Sequence, residues 1–569
     1  MTIRVYLITL FTFLIVNNSN AQEYHWAYSV GGSGQDPSAD ITHDDVGNVY
    51  TVGTFDGSVD FDPGAGSSVL MNTGASDVFV QKVDVLGNFI WARSYGGADQ
   101  IVVRAIRVDA NGNVYIAGFY YGVVDFDPGT AVFNLTSNGD ADIYIQKLDA
   151  MGNFLWAKSI GGMENDFAYG LSLDAQGNLS ATGQFSLTVD FDPNAGISNL
   201  TSAGDYDVFI LKMDSSGSLI WAKSAGAVDE DFAKELDHDA MGNVYVLGTF
   251  RNTVDFDPGA GVDNFTSLGF GDIFILKLDI NGNYIWARTF GSVNVDNAAD
   301  LVVDANGNAH STGYYSGSID LDPGIAVSNA SSLGLRDIFV HKLDAAGNFV
   351  WGSSFGSIAN DLAYGIGLDS AGNVYSTGTF EWTADFDPGP GVFDIPNEGQ
   401  SDIYFQKLDA QGNFIWAKSV GSITAEYPSC MTVDKAGNAM CSGYYRDSLD
   451  LNPGSVTNTF ISNGNFDVFV LKLGDNYALS VNEIEQNKAI PVSFYPNPTS
   501  NVLNIAFENE PEGILEARVL DVSGKLLKNV SFQRNEPKQI SLMGLSEQIY
   551  IVQLFENKEL VHSALVKKE

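Results

Sequence analysis

The sequence predicts an all-β repeat protein, and three observations lead there. Tryptophan recurs at Trp26, Trp91, Trp156, Trp221, Trp286, Trp351 and Trp416, always 65 residues apart, with no insertion or deletion between copies. A spacing held this strictly marks copies that must fit one another in space, as in repeat architectures. Inside each period, short β-branched and aromatic runs alternate with Gly/Asn turns, the pattern of antiparallel hairpins. Sixty glycines and a 12% aromatic content suit many short strands joined by tight turns.

The copy from Gly96 to Gly161 displays the elements in order. Ala105–Asp109 reads as a first strand, and Asn111-Gly112-Asn113 turns it into a second, Val114–Tyr121. A longer connection follows, containing Asp125-Phe126-Asp127-Pro128-Gly129. Asp142–Asp149 is the third strand, Met151-Gly152-Asn153 a second turn, and Phe154–Ile160, with Trp156, the fourth strand. Four antiparallel strands per repeat make one blade of a β-propeller. The surplus length of the period sits in the Asp-x-Asp-Pro connection, where a small outer hairpin is expected.

The ends of the array specify how the ring closes. The chain enters with a lone Trp strand, Tyr24–Val30, and leaves with Asp467–Leu473, which has no Trp strand after it. Pairing the first strand with the last three completes a seventh blade and removes two exposed edges. The expectation is therefore a seven-bladed β-propeller over residues 22–476, closed by its N-terminal strand. The D-x-x-G-N-x-Y, D-[IV]-[FY]-x-x-K-[LVM]-D and [IVL]-W-[AG]-[KRS]-S-x-G segments in it resemble the SBBP-type β-propeller repeat of exported bacterial proteins.

Residues 1–21 read as a signal peptide. Arg4 supplies the positive start, Val5–Val16 the apolar run, and Ser19-Asn20-Ala21 a small-x-small cleavage site. That run is too short for a membrane span, and no later stretch is long and apolar enough to be one. Periodicity stops near Asp475, residues 477–490 form a polar linker, and composition changes over 491–569. From Lys488 onward nine Lys/Arg face ten Asp/Glu, so nearly all of the net charge of −41 belongs to the repeats. Runs at Val502–Phe507, Ala517–Val522, Gln539–Leu542 and Ile549–Leu554 predict a small immunoglobulin-like β-sandwich. Tyr495-Pro496-Asn497-Pro498, Asp521-Val522-Ser523-Gly524-Lys525, Ile549-Tyr550-Ile551-Val552 and the terminal Leu565-Val566-Lys567-Lys568 resemble the type A C-terminal sorting domain of the type IX secretion system. Gln548 departs from the glycine usual in that family. The resemblance implies passage through the periplasm and across the outer membrane by the type IX machinery, loss of the domain, and release or attachment at the cell surface.

Charge bounds the partners. A surface this acidic argues against nucleic acid or an anionic membrane, and is compatible with cations or basic surfaces. The repeated acids fall into two series: Asp60/Asp62, Asp125/Asp127, Asp190/Asp192, Asp255/Asp257, Asp320/Asp322, Asp385/Asp387 and Asp450 in the long connection, and Asp36, Asp166, Asp231, Asp296, Asp361 and Glu426 between blades. In a propeller both connections belong to one face, which makes these carboxylates a candidate ligand-binding face. Oxygen-rich clusters suit Ca²⁺, so Asp60, Asp62 and their equivalents are candidate calcium ligands. The competing reading is turn chemistry, in which Asp caps local amides, Pro fixes φ and Gly permits positive φ. Asp77/Lys82 and their equivalents read as a repeated polar contact, and Phe55, Tyr120 and theirs as packing between blades.

Two features break the symmetry. Trp382 stands outside the tryptophan series, where other copies carry Gly57, Gly122 or Asp447, and is a candidate for stacking on a sugar or simply a loop cover. Cys430 and Cys441, the two cysteines, flank one turn, either as a disulfide clip or as two free thiols. The six histidines have no metal-ligand spacing, and nucleophile elbows and phosphate loops are missing. These observations predict a secreted or cell-surface binding or adhesion module for an extracellular protein or glycan. An extracellular carbohydrate-active enzyme and a structural surface-layer component are the alternatives.

Overall fold

A computed structural model describes residues 23–454 and 456–474 of the repeat region. Beyond it, residues 492–495, 499, 501–507, 515–520, 526–532, 538–546, 549–556 and 559–568 are described. The expected leader (1–21), the expected linker (477–490) and, within the expected sorting motif, Pro496, Asn497, Pro498 and Gly524 lie outside these residues. Contacts divide the chain into two units, at Asp475 and Asn476. The described residues are all-β, with no helix among them, and thus none among them long and apolar enough to cross a membrane.

The first unit holds seven four-stranded antiparallel sheets. Six come from consecutive chain; the first joins Ser38–His43, Val49–Phe55, Asp77–Val83 and Phe89–Tyr95 in that order. The seventh joins Tyr427–Val433, Ala439–Tyr445 and Asp467–Gly474 to the N-terminal strand Glu23–Val30. That pairing runs from Glu23 opposite Gly474 to Val30 opposite Val468. The first strand of every sheet touches the first strand of the next, and the last, Tyr427–Val433, touches Ser38–His43. These are the inner strands.

Local chemistry explains the regular turns. In the Asp-x-x-Gly-Asn segment, Asp44 Oδ1 accepts from the amides of Val46 and Asn48 at 3.1 and 2.9 Å, and Asn48 Nδ2 donates to Asp44 Oδ2 at 2.7 Å. Gly47 sits at φ +92°, where a side chain would be strained. Between sheets the cores are aromatic and aliphatic: Phe55, Phe61 and Phe79 of the first sheet pack with Tyr28 and Val30 of the seventh.

The long connection forms a two-stranded hairpin, Ser58–Asp60 with Val69–Met71 in the first copy. In the second copy its arms are continuous with Val114–Asp125 and Asn134–Leu148. The returning arm folds onto the start of its sheet's outer strand: Phe133 packs on Phe154 and Phe393 on Phe414, and Tyr284 Oη donates to Asp263. The hairpins thereby cover edge positions that would otherwise be open to pairing.

In the second unit, one three-stranded sheet contains Val492–Tyr495, Val502–Phe507 and Gln539–Ser541. A four-stranded sheet contains Leu515–Leu520, Leu526–Phe532, Ile549–Glu556 and Glu559–Lys567. Leu503, Ile540, Val519 and Tyr550 belong to its core. Tyr550 Oη donates to Ser546 O at 2.7 Å, Lys568 Nζ donates to Leu545 O at 2.7 Å, and Tyr495 is exposed.

Candidate functional site

The repeated acids occupy two separate layers. The first Asp of each Asp-x-Asp-Pro segment (Asp60, Asp125, Asp190, Asp255, Asp320, Asp385) accepts from the amide two residues on at 3.0–3.1 Å and from the amide eight residues on at 2.7–2.8 Å. The second Asp (Asp62, Asp127, Asp192, Asp257, Asp322, Asp387) accepts from the amide two residues on at 2.7–2.9 Å. These segments are hairpin tips against the outer strands, and their geometry is that of capped turns. Among the described residues, no group of three His, Cys, Asp or Glu side chains is disposed to hold a metal ion.

The inter-sheet series lies inside. Asp36, Asp166, Asp231, Asp296, Asp361 and Glu426 are at most 1% exposed. Asp36 accepts from Gly32 N at 2.6 Å and Asp56 N at 3.0 Å, tying the inter-sheet loop to the end of the second strand. Burial pushes Asp166, Asp231, Asp296 and Asp361 up to about 7, against the lowering effect of such amide bonds. These carboxylates hold loops and do not present charge to solvent alongside the hairpin tips.

Trp382 is 63% exposed and takes φ +61°. Its equivalents Gly57, Gly122, Leu187, Asn252, Gly317 and Asp447 all have positive φ, so a left-handed residue is built into this turn. Lys82, Lys212, Lys277 and Lys407 reach the Asp of the first turn in their own sheet, as in Lys212–Asp174 at 2.8 Å and Lys277–Asp239 at 3.4 Å. Lys82, Lys147, Lys277 and Lys407 also cover a tyrosine face, as Lys82 does over Tyr50. Cys430 and Cys441 are free: Cys430 lies opposite Ser442, and Cys441 opposite Met431.

The residues that differ most between repeats converge elsewhere. A cavity of about 410 Å³ is lined by residues of all seven inner strands. One lining position reads Ala39, Arg104, Tyr169, Lys234, Ala299, Tyr364 and Ser429 through the seven copies, and the next reads Asp40, Ala105, Gly170, Glu235, Asp300, Gly365 and Cys430. A smaller space of about 170 Å³ shares Asp40, Asp300 and Cys430 with it and adds Arg107 and Asp237. The signal available in the sequence was this loss of periodicity on the first strand of each repeat.

The cavity is polar and internally paired on one side. Arg107 Nη1 donates to Asp40 Oδ2 at 2.7 Å, and its Nη2 lies 3.5 Å from Glu235 Oε2. Asp40 Oδ2 also accepts from Ile106 N, and Asp300 Oδ2 from Ile366 N, both at 2.8 Å, so these acids stitch neighbouring inner strands together. Burial pushes Glu235 up to about 8, opposed by Arg107, and raises Asp300 to about 7. Burial, with Asp40 and Asp300 nearby, holds the Cys430 thiol well above its usual range.

An aromatic wall faces this cluster. Phe167 stacks on Tyr169 and Tyr206, and meets Phe119 edge-on at 4.6 Å between centroids. Arg104 lies over Phe119 and Tyr169 at 5.6 and 5.9 Å, and Lys234 approaches Tyr169 at 6.0 Å. Both cations are exposed within the cavity. Burial, then the neighbouring Arg104, lowers the Lys234 ammonium from its ordinary value.

Residues 493–568 match the family described as a secretion system C-terminal sorting domain. That tail marks a protein exported to the cell surface or extracellular space, and implies interaction with the type IX secretion machinery. An uncharacterised WD repeat-containing protein of Acanthamoeba polyphaga mimivirus is 23% identical over 513 residues, 75% of this chain and 36% of its own length. The regulatory protein FlaEY of Caulobacter vibrioides is 25% identical over 241 residues, 41% of this chain and 24% of its own. The chain thus spans well under half of either relative. Among solved structures, the extracellular domain of a hybrid two-component system from B. thetaiotaomicron is 12% identical with a TM-score of 0.16, covering 95% of this chain and 100% of that one. A Bacteroides thetaiotaomicron protein of unknown function is 12% identical with a TM-score of 0.25, covering 77% of this chain and 98% of that one. TM-scores of this size do not establish a shared fold.

Proposed function

We propose that this chain is an exported seven-bladed β-propeller of the SBBP repeat type that acts as a binding module, with recognition at the cavity its inner strands surround. One observation carries the reading. The 65-residue pattern is kept in the turns, cores and hairpins, and it is abandoned at the positions lining the cavity. Conserving a scaffold needs no such departure; a ligand site does, because recognition uses unlike groups in fixed places. The cyclic contacts of the inner strands and the pairing of Glu23–Val30 with Asp467–Gly474 support the propeller. The leader with Arg4 and Val5–Val16 supports transit of the periplasm before the sorting tail is used.

The test is a ligand screen on the purified chain, comparing wild type with Tyr169→Ala and Trp382→Ala. Binding lost in Tyr169→Ala and kept in Trp382→Ala supports the cavity. The reverse moves recognition to the rim and sinks this reading.

A second reading, a carbohydrate-active enzyme, is favoured by Glu235. A carboxyl pushed up to about 8 inside a cavity has the protonation state of a general acid at neutral pH. Release of reducing ends from a polysaccharide panel, abolished by Glu235→Gln, distinguishes turnover from binding alone.

A further inference from the structure

We infer that the cavity takes a carboxylate-bearing sugar, with Arg104 and Lys234 holding the carboxylate and Tyr169 supporting the ring. This rests on the reading of the cavity as the binding site, and it names the ligand class.

The chain carries 29 Lys and Arg against 70 Asp and Glu, yet two of its cations, Arg104 and Lys234, stand together on the cavity lining. Neither makes an ion pair among the described residues, and both lie over aromatic faces. The carboxylates nearest to them are already engaged. Asp40 is held by Arg107 and Ile106 N, Glu235 by Arg107 and Leu236 N, and Asp300 by Leu301 N and Ile366 N. A guanidinium offers a planar fork that matches a carboxylate in two parallel hydrogen bonds, and an ammonium adds a point charge beside it. Two such groups flanking one tyrosine leave an anionic position at the edge of a ring-sized platform.

The platform sets the rest of the ligand. Tyr364 and Tyr444 line the cavity together with Tyr169, and Phe167 stacks on Tyr169 from outside the lining. Rings with one apolar face and polar edges bind such walls, and sugars are rings of that kind. The opposite side supplies polar groups: Ser38 and Ser429 hydroxyls lie 3.0 Å apart on adjoining inner strands. The volume, about 410 Å³, falls within the range of small-molecule sites. A simple inorganic anion would leave the aromatic wall unused, and a neutral sugar would leave the two cations unpaired.

The experiment is titration calorimetry on the full chain with tri-galacturonate, maltotriose and benzoate as probes. It is run for wild type, Arg104→Gln, Arg104→Lys, Lys234→Gln, Tyr169→Ala and the rim variant Trp382→Ala. Melting curves confirm that each variant is folded; Arg104 is exposed and its side chain makes no hydrogen bond among the described residues, so its loss does not threaten the fold. The expected result is binding of tri-galacturonate at least about tenfold tighter than of maltotriose or benzoate. Arg104→Gln weakens it by about tenfold or more, Arg104→Lys by less, and Trp382→Ala leaves it unchanged. Equal binding of tri-galacturonate and maltotriose, lost with Tyr169→Ala, overturns the acidic ligand and leaves the cavity standing. Benzoate binding as tightly as tri-galacturonate overturns the sugar. Trisaccharide binding that the cavity variants spare and Trp382→Ala removes overturns both the ligand class and the site. No binding of tri-galacturonate overturns the ligand class alone.

Discussion

The indole N–H of Trp26 donates to the carbonyl of Val85, 59 residues later, at 3.0 Å. Trp26 lies on the N-terminal strand and Val85 in a turn of the first sheet, so this bond fastens the last-completed sheet to the first. The same link joins Trp91 to Ala150, Trp156 to Ser215, Trp221 to Ile280, Trp286 to Ala345 and Trp351 to Ala410. Trp416 is the exception. Its Nε1 is buried without a partner among the described residues. The position equivalent to Val85, Asp475, lies outside the described residues.

Trp91 and Trp416 are therefore a matched pair. Each is 7% exposed and each meets a tyrosine edge-on at 6.2 Å between centroids, but among the described residues only Trp91 has its hydrogen bond. Trp91→Phe is expected to cost about 1–2 kcal/mol more than Trp416→Phe, because the first loses a bond and the second removes an unsatisfied donor. Denaturant unfolding of the two variants checks this; equal losses would mean the bond carries no stability.

Removal of residues 23–30 should do more damage than any point change. It opens the whole edge of Asp467–Gly474, where seven backbone pairings are made, and it deletes the Trp26 latch. The shortened chain is expected to associate through that edge. Light scattering during refolding would show it, and a monomer with unchanged melting temperature would contradict it.

Acid should act through His341. This imidazole is fully buried against Phe290 and Phe349, and burial pushes it down to about 3. The unfolded chain therefore binds the proton first as pH falls below the ordinary histidine value. The stability linked to this group is complete above about pH 6.5 and is lost as pH falls from there toward 3. The equivalent residues Leu211, Leu276 and Leu471 show that leucine fits the position. His341→Leu is expected to change little at pH 8 and to stabilise at pH 5 by about 1–2 kcal/mol. A gain independent of pH would assign the effect to packing.

The hairpin tips should behave as turns. Asp125 Oδ1 accepts from the amides of Asp127 and Phe133 at 3.1 and 2.8 Å. Asp125→Ala is expected to cost about 1 kcal/mol, with the same melting temperature shift in chelator and in Ca²⁺. A saturable, Ca²⁺-selective rise in wild type that Asp125→Ala reduces would return the segment to metal binding.

The candidate site was less legible than the fold. Strand order, turns and the complementary ends follow from short-range rules, since Gly47, Asn48 and Asp44 settle their turn among themselves. Arg104, Lys234 and Glu235 have no motif between them. They stand 65 residues or more apart in sequence, or on adjacent positions of one strand, and only the cyclic packing of inner strands brings them around one space. The acids were visible but misplaced in layer. Nothing local distinguishes Asp36, spent on Gly32 and Asp56 amides, from a carboxylate that faces solvent.

By itself the sequence determined the all-β repeat, its period, its capped turns and the tail at 493–568 that directs export, because each depends on residues close together in the chain. Tertiary structure alone decided which acids are buried, that Cys430 and Cys441 stay apart, and which unlike residues of seven inner strands share a cavity. Those outcomes depend on the packing of one sheet against the next, a relation between positions 65 residues apart that no local preference encodes.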